Sequence, residues 1–590
     1  MNLGIGYSLF AGFFQSEIYS VISIAASLFM LVCPFVFWKF RRHAGIFICC
    51  MGAAFSAVML FSLFLYQLNA DECQHLLMAH SVINGGVPFR DFEAQGLGPF
   101  NGFYLALFSF GNISFVTARL GSLFAELAGG IMIFLAVIRL SGIRPAIAIA
   151  SPVFFYFSVF SSYTDLWEIT SYNCETLFFL LLSLWFVLFA YRGSSRLVMF
   201  LEFFVLGMWP WVKLQFAPFS LICFVLSIAR GIFVQDGSGD AGRGEGSAPG
   251  ALRSRLFSWD FLLACLAAVM PTALFLAYLA LNGALERFWL FYIVDNMEHV
   301  SVPLDFYFTF ILPYLVLEAT RPMFWLAICT AAAFFVLVLC DYVYGRIHGR
   351  GSRAAGEGGA EAAARPSGAG RSELGSVLLA LFALTALFSV TRTMSHYYHY
   401  LNIIVPAGAV FAGLGMSLTG SERKRGLWAL VMIAVSALAF CPKMVFLNNV
   451  RTFQQKAFIS ESIYPFSKVL HYLNERVKPG EPVALWGWEP GFLIYSDHPS
   501  ATATHFIYPL VSDKFTPRIR DAYVEDIIKN RPAAIVDLVC PYAFSFRDSK
   551  FELSNYGFIK RVTDEYYEKP VAVPVGSSGF ARVYLRKPGM

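Results

Sequence analysis

Two adjacent acids, Asp71 and Glu72, stand just beyond the point where an apolar run ends at Gln67-Leu68. Charge at a bilayer edge is expensive and needs a reason. A carboxylate held there suits proton abstraction from a hydroxyl, given hydrogen-bond reach to that proton. Neighbours on a helix point about 100° apart, so one acid at most faces a given reacting atom. The other is left with positioning or metal binding. Both acids also suit the solvated start of a helix, where Asp caps well. His75 follows one turn on and can share their face. Farther along, Arg90-Asp91 and Glu93 form a second polar group. Arg90 and Asp91 can clamp a sugar or a phosphate, or simply pair with each other.

Cations recur at comparable depths. Arg119 lies inside the start of an apolar run, where lipid disfavours it unless it faces a cavity. Lys213 closes Gly207-Met208-Trp209-Pro210-Trp211-Val212-Lys213, between two short apolar runs. Arg392 precedes Ser395-His396-Tyr397-Tyr398-His399-Tyr400. Fixed cations stabilise a departing phosphate, whereas a snorkelling lysine and an aromatic belt need no chemistry. A further acidic group, Asp165 and Glu168, precedes Asn173 and Glu175.

The elements that must position these groups are mostly membrane helices. Hydrophobic residues make up 57% of the 590 residues, charged residues 14%, and the mean hydropathy is +0.60. A soluble chain carries about a quarter charged residues. Runs of spanning length, about 20 residues, fall near 18–38, 45–68, 115–138, 145–163, 173–191, 197–213, 215–233, 258–281, 322–344, 374–391, 400–418 and 426–443. The reading is about twelve spans, with a tight turn at Lys213. Phe306–Leu317 is short and reads as re-entrant. Before residue 444 most Lys and Arg, from Lys39-Phe40-Arg41-Arg42 to Arg423-Lys424-Arg425, fall on one side. Arg90, Arg119, Lys213, Arg287, Arg321 and Arg392 fall on the other. The positive-inside rule makes the richer side cytoplasmic. Both termini and the Asp71–Pro99 stretch are then expected outside, with the first external loop near 69–114.

Within that loop Gly85-Gly86 and Pro88 should stop a helix that starts near Asp71. A second surface helix is expected from about Pro99 to Phe110. The N-terminal run lacks a basic region and a small-residue cleavage site, so the first span is expected to stay in place. The 11 Cys show no metal-type spacing and mostly read as small core residues. Nothing supports a disulfide between Cys73 and Cys174. No Walker, Rossmann or zinc motif appears, and nothing points to nucleic acid. Residues 234–251 and 345–370 read as low-complexity cytoplasmic linkers.

The order Asp71-Glu72, then His75, then Gly85-Gly86, Pro88-Phe89-Arg90-Asp91-Phe92 and Gly98-Pro99 resembles the first external loop of GT-C membrane glycosyltransferases. These multispanning enzymes take a sugar from a polyprenyl phosphate and include protein mannosyltransferase and aminoarabinose transferase relatives. The resemblance implies that Asp71 is the catalytic base. Glu72 is then the positioning or metal residue, and His75, Arg90, Asp91, Arg119, Asp165, Lys213, Arg392 and His396 are substrate-binding candidates. It also implies a bacterial inner-membrane location, direct displacement with inversion, and a lipid, glycan or protein acceptor outside. No cofactor is implied; a divalent metal stays open.

Composition changes near Val445. Residues 445–590 read as a small extracytoplasmic α/β domain beside a 1–444 helical catalytic module. Its expected elements are helices at Ser462–Val477 and Arg518–Asn530, and strands at Val483–Trp486, Ala533–Val539 and Arg582–Leu585. Such a domain resembles the external C-terminal domain of many bacterial GT-C members. Two rival readings remain. One is a secondary transporter or lipid flippase, though no repeated halves are seen. The other is a non-catalytic relative acting as a binding or assembly subunit.

Overall fold

The computed structural model describes residues 17–40, 43–59, 70–93, 98–111, 113–141, 173–191, 195–234, 259–296 and 465–590, without 497, 506, 512–516 and 544–545, and scattered residues of 146–151 and 406–430. Nine helices of the N-terminal part frame the site among the described residues: α1 Glu17–Phe40, α2 Ala44–Met59, α3 Ala70–Ile83, α4 Pro99–Phe108, α5 Phe115–Ser141, α6 Asn173–Tyr191, α7 Arg196–Val212, α8 Ala217–Val234 and α9 Trp259–Leu281. Val116–Ser141 and Trp259–Leu281 are long and apolar enough to cross a bilayer. The runs at 322–344 and 374–391 and the Phe306–Leu317 segment lie outside the described residues, so the count of twelve spans stays an expectation.

α5 packs along α6, and α7 along α9. Gly207 lets α7 and α9 approach closely, because a Cβ there would stand 2.1 Å from the Ala268 carbonyl oxygen. Pro210 sits inside α7 and has no N–H to give the Leu206 carbonyl. The Ser220 hydroxyl of α8 donates to that carbonyl instead, at 2.7 Å.

α3 ends at Ile83, and Gly85 turns the chain at φ 81°. A tight loop follows, in which Phe89 N–H donates to the Phe92 carbonyl and Asp91 N–H to the Val87 carbonyl. Phe89 adopts φ 67° and is fully buried, packing on Phe288 and Tyr292. α4 opens with Pro99 behind Gly98 at φ 72°, a favoured use of proline at a helix start. It differs from the expected surface helix. Asn101, Gly102, Leu105 and Ala106 are buried because one face lies on α3 and another on α7.

Beyond residue 465 a four-stranded sheet has the order β1-β2-β4-β3, with β1 Val483–Trp486, β2 Ala534–Asp537, β3 Val571–Val575 and β4 Gly579–Leu585. β1 and β2 are parallel, Val483 opposite Ala534, and the other two pairings are antiparallel. β1 and β2 are buried at every residue, as an apolar run covered on both faces requires. A short helix, α10 Leu285–Phe288, continues as a π-helical turn over Trp289–Val294. In the C-terminal part, α11 Ser467–Asn474, α12 Gly491–Ser496, α13 Pro517–Asn530 and α14 Gly557–Tyr566 flank the sheet. α12 lies against α3. One apolar core joins Phe89 and Phe92 of the loop to Trp211, Phe288 and Tyr292 and to Trp486, Ile519 and Tyr523 of the C-terminal part.

Candidate active site around helix α3

α3 carries the acids on its first turn. Glu72 is fully buried, and its two carboxylate oxygens accept from Arg119 Nε at 2.6 Å and Nη2 at 2.9 Å. Arg119, near the start of α5, is 6% exposed. A bidentate pair of this kind is directional and strong, and each charge there depends on the other. Asp71 is the neighbouring residue on the same turn; its side chain lies outside the described residues.

One turn later His75 is fully buried, and neither ring nitrogen has a hydrogen-bond partner among the described residues. Burial, and then the charge of Lys213, push its pKa down to about 3. The ring is therefore neutral at physiological pH and carries one N–H and one lone pair. Lys213 is itself 5% exposed. It leaves α7 in an extended conformation, φ −165° and ψ 132°, before a single 3-10 turn at Leu214–Phe216 leads into α8. The tight turn expected at this residue is present. The end of α7 thus sets a buried ammonium whose charge acts on His75 of α3.

Arg90 and Asp91 pair with each other at 2.7 Å and are half-exposed, 40% and 38%. Asp91 also accepts from Val87 N–H, and Arg90 reaches the Asn282 carbonyl at 3.4 Å. Glu72, His75, Arg119 and Lys213 therefore gather around α3, while Arg90 and Asp91 brace the loop at its rim. Asp165, Arg392 and His396 lie outside the described residues. Cys73 is buried. Among the described residues no three His, Cys, Asp or Glu gather as a metal site.

The sequence reading gave no role to Glu93, which it grouped with Arg90 and Asp91, and did not single out Asn101 or Tyr292. Glu93 is 6% exposed, and its N–H donates to the Ala503 carbonyl of the C-terminal part. Burial pushes its pKa up to about 8, against the Thr504 hydroxyl and with the neighbouring Asp526 carboxylate. Asn101 and Tyr292 bind carbonyls at the end of α7. Only the Pro99-led helix hinted at Asn101, and nothing local singled out Tyr292.

No family model matches the chain, and no curated protein does. Among solved structures, ArnT from Cupriavidus metallidurans bound to undecaprenyl phosphate matches with a TM-score of 0.52 at 13% identity. The match covers 90% of this chain and 97% of that one. The chain has an ArnT-like fold. The likeness in fold extends over nearly the whole chain. The apo form of the same ArnT gives 0.46 at 13% identity, over 90% of this chain and 97% of that one. An oligosaccharyltransferase from Archaeoglobus fulgidus, in complex with Zn and sulfate, gives 0.40 at 9%, over 96% of this chain and 73% of that one.

Proposed function

We propose that the protein is a membrane glycosyltransferase that moves a sugar from a polyprenyl-phosphate donor to an acceptor on the extracytoplasmic side. Asp71 takes the proton of the acceptor hydroxyl. The hydroxyl oxygen attacks the anomeric carbon as the bond from that carbon to the phosphate oxygen breaks. The polyprenyl phosphate leaves with the electron pair. Lys213 neutralises it, neutral His75 donates its one N–H to it, and Arg392 and His396 complete that side. Glu72 and Arg119 lock each other and fix the first turn of α3. Arg90, Asp91 and Asp165 shape the acceptor side.

About twelve spans carry this site, in a bacterial inner membrane with both termini outside. Residues 445–590 form an extracytoplasmic α/β domain that covers it. The observation carrying the reading is a buried lysine at the end of α7 whose charge acts on a buried neutral histidine, one with no hydrogen-bond partner among the described residues, on the helix that bears Asp71. The ArnT-like fold, in a neighbour solved with undecaprenyl phosphate, supports the donor class.

The test is Asp71→Asn in the purified protein. Turnover should fall by about 10²-fold or more, the scale of general-base catalysis, while undecaprenyl phosphate binding stays unchanged. A variant that keeps full turnover sinks the assignment of the base.

A further inference from the structure

The last carbonyls of a helix have no partner within it. At the end of α7 each satisfied carbonyl is bonded in a way that bears on Lys213. The Trp209 carbonyl accepts from Lys213 N–H at 3.2 Å, which closes the final turn. The Pro210 carbonyl accepts from the Tyr292 hydroxyl. The Val212 carbonyl accepts from Asn101 Nδ2 at 2.9 Å. The intervening side chain is held too, because Trp211 Nε1 donates to Thr272 Oγ1 at 2.9 Å. Three separate segments, α4, α9 and the π-helical turn, thus grip three consecutive residues immediately before the lysine.

The grip is close. Gly98 lies against this strap, and a Cβ there would stand 2.0 Å from the Val212 carbonyl oxygen and 2.6 Å from that of Trp211. Asn101 is fully buried and sits one turn after Gly98. Its amide reaches back to the Gly98 carbonyl at 3.4 Å as well as to Val212. The first external loop therefore fixes where α7 stops. Tyr292 is buried and lies near the Lys213 ammonium, whose charge acts on its hydroxyl.

We propose that Asn101 and Tyr292 are positioning residues for Lys213: by clamping the Val212 and Pro210 carbonyls they hold its ammonium beside His75, where the donor phosphate is bound. The inference rests on the reading of Lys213 as a phosphate contact. Neither residue touches substrate. A lysine stem is flexible, so an ammonium at a fixed place needs a fixed backbone, and small misplacements of a binding group are costly.

The experiment measures binding of undecaprenyl phosphate and of uncharged undecaprenol to the full chain in nanodiscs. Asn101→Ala should weaken undecaprenyl phosphate about tenfold, the scale of one buried hydrogen bond, and leave undecaprenol unchanged. In a Lys213→Gln background the same substitution should add nothing, since coupled residues fail to add. Tyr292→Phe removes a single hydroxyl and should give a smaller loss with the same selectivity; it decides the matter if Asn101→Ala fails to fold. Unchanged phosphate affinity, an equal loss for undecaprenol, or a full loss in the Lys213→Gln background overturns the clamp. Undiminished phosphate binding by Lys213→Gln alone removes the donor-phosphate reading itself, and the clamp with it.

Discussion

Glu72 and Arg119 are 47 residues apart in sequence and meet at full burial. Separating two buried charges by removing one typically costs about 3–5 kcal/mol, more than the pair itself contributes. Glu72→Gln should therefore lower the melting temperature strongly. A double change, Glu72→Gln with Arg119→Met, should recover much of the loss, because no charge is stranded. Thermal unfolding of the three variants checks this, and a double variant less stable than either single one contradicts it. The pair was not legible in the sequence. Both residues were picked out there, each as costly charge near lipid, but only a tertiary contact reveals that each neutralises the other. His75 shows the opposite limit. A histidine one turn past an acid looks like an interfacial residue on a wet helix; it is buried because α4 and α12 cover α3 from two sides.

At the scale of the elements, the turn between α7 and α8 was legible because two short apolar runs meet at a lysine, whereas Pro210 is accommodated inside α7. β1 and β2 were legible as continuous apolar runs. β3 was not, since Val571–Val575 is a half-exposed edge strand with Pro574 in it and edge strands lose the apolar signature. α14 also passed unread, since its buried face is only Ile559, Val562 and the polar Thr563. The junction of α4 with α7 makes a sharp prediction. Gly98 combines φ 72° with a would-be Cβ 2.0 Å from backbone, whereas Gly85, at φ 81°, has nothing within 4 Å. Gly85→Ala should cost about 1 kcal/mol of backbone strain. Gly98→Ala should cost well above that and reduce the yield of folded protein, because backbone cannot yield as a side-chain tip can. Equal melting temperatures for the two variants would contradict the account of the junction.

At the scale of the whole molecule, the C-terminal part is welded to the stretch from α3 to Glu93. Arg287 pairs with Asp526 at 2.7 Å, Asp526 accepts from Ala503 N–H, and Ala503 accepts from Glu93 N–H. Leu77 of α3 packs in one core with Phe492 and Leu493. Glu93 is buried in this seam, and its pKa rises from 4.5 to about 8 on folding. The folded chain therefore holds that proton more tightly than the unfolded chain. Its contribution is fully present below pH 4.5 and is lost as pH rises toward 8. His505, pushed down to about 4 by burial, acts in the opposite sense, its contribution being lost as pH falls from about 6.5 toward 4. Comparison with Glu93→Gln isolates the first effect. The variant should gain in melting temperature over the parent between pH 5 and 8, and a gap that does not change with pH would contradict the burial of an ionisable group there.

The central claim is that a sugar leaves a lipid phosphate by cleavage at its anomeric carbon. It is tested most directly with a polyprenyl-phosphate sugar carrying ¹⁸O at the bridging position and a radiolabel in the sugar. The account predicts radiolabel on the acceptor, with the ¹⁸O retained in the released polyprenyl phosphate. Intact donor recovered on the opposite leaflet, with neither acceptor labelled nor lipid phosphate released, would contradict it and make the protein a carrier of its lipid.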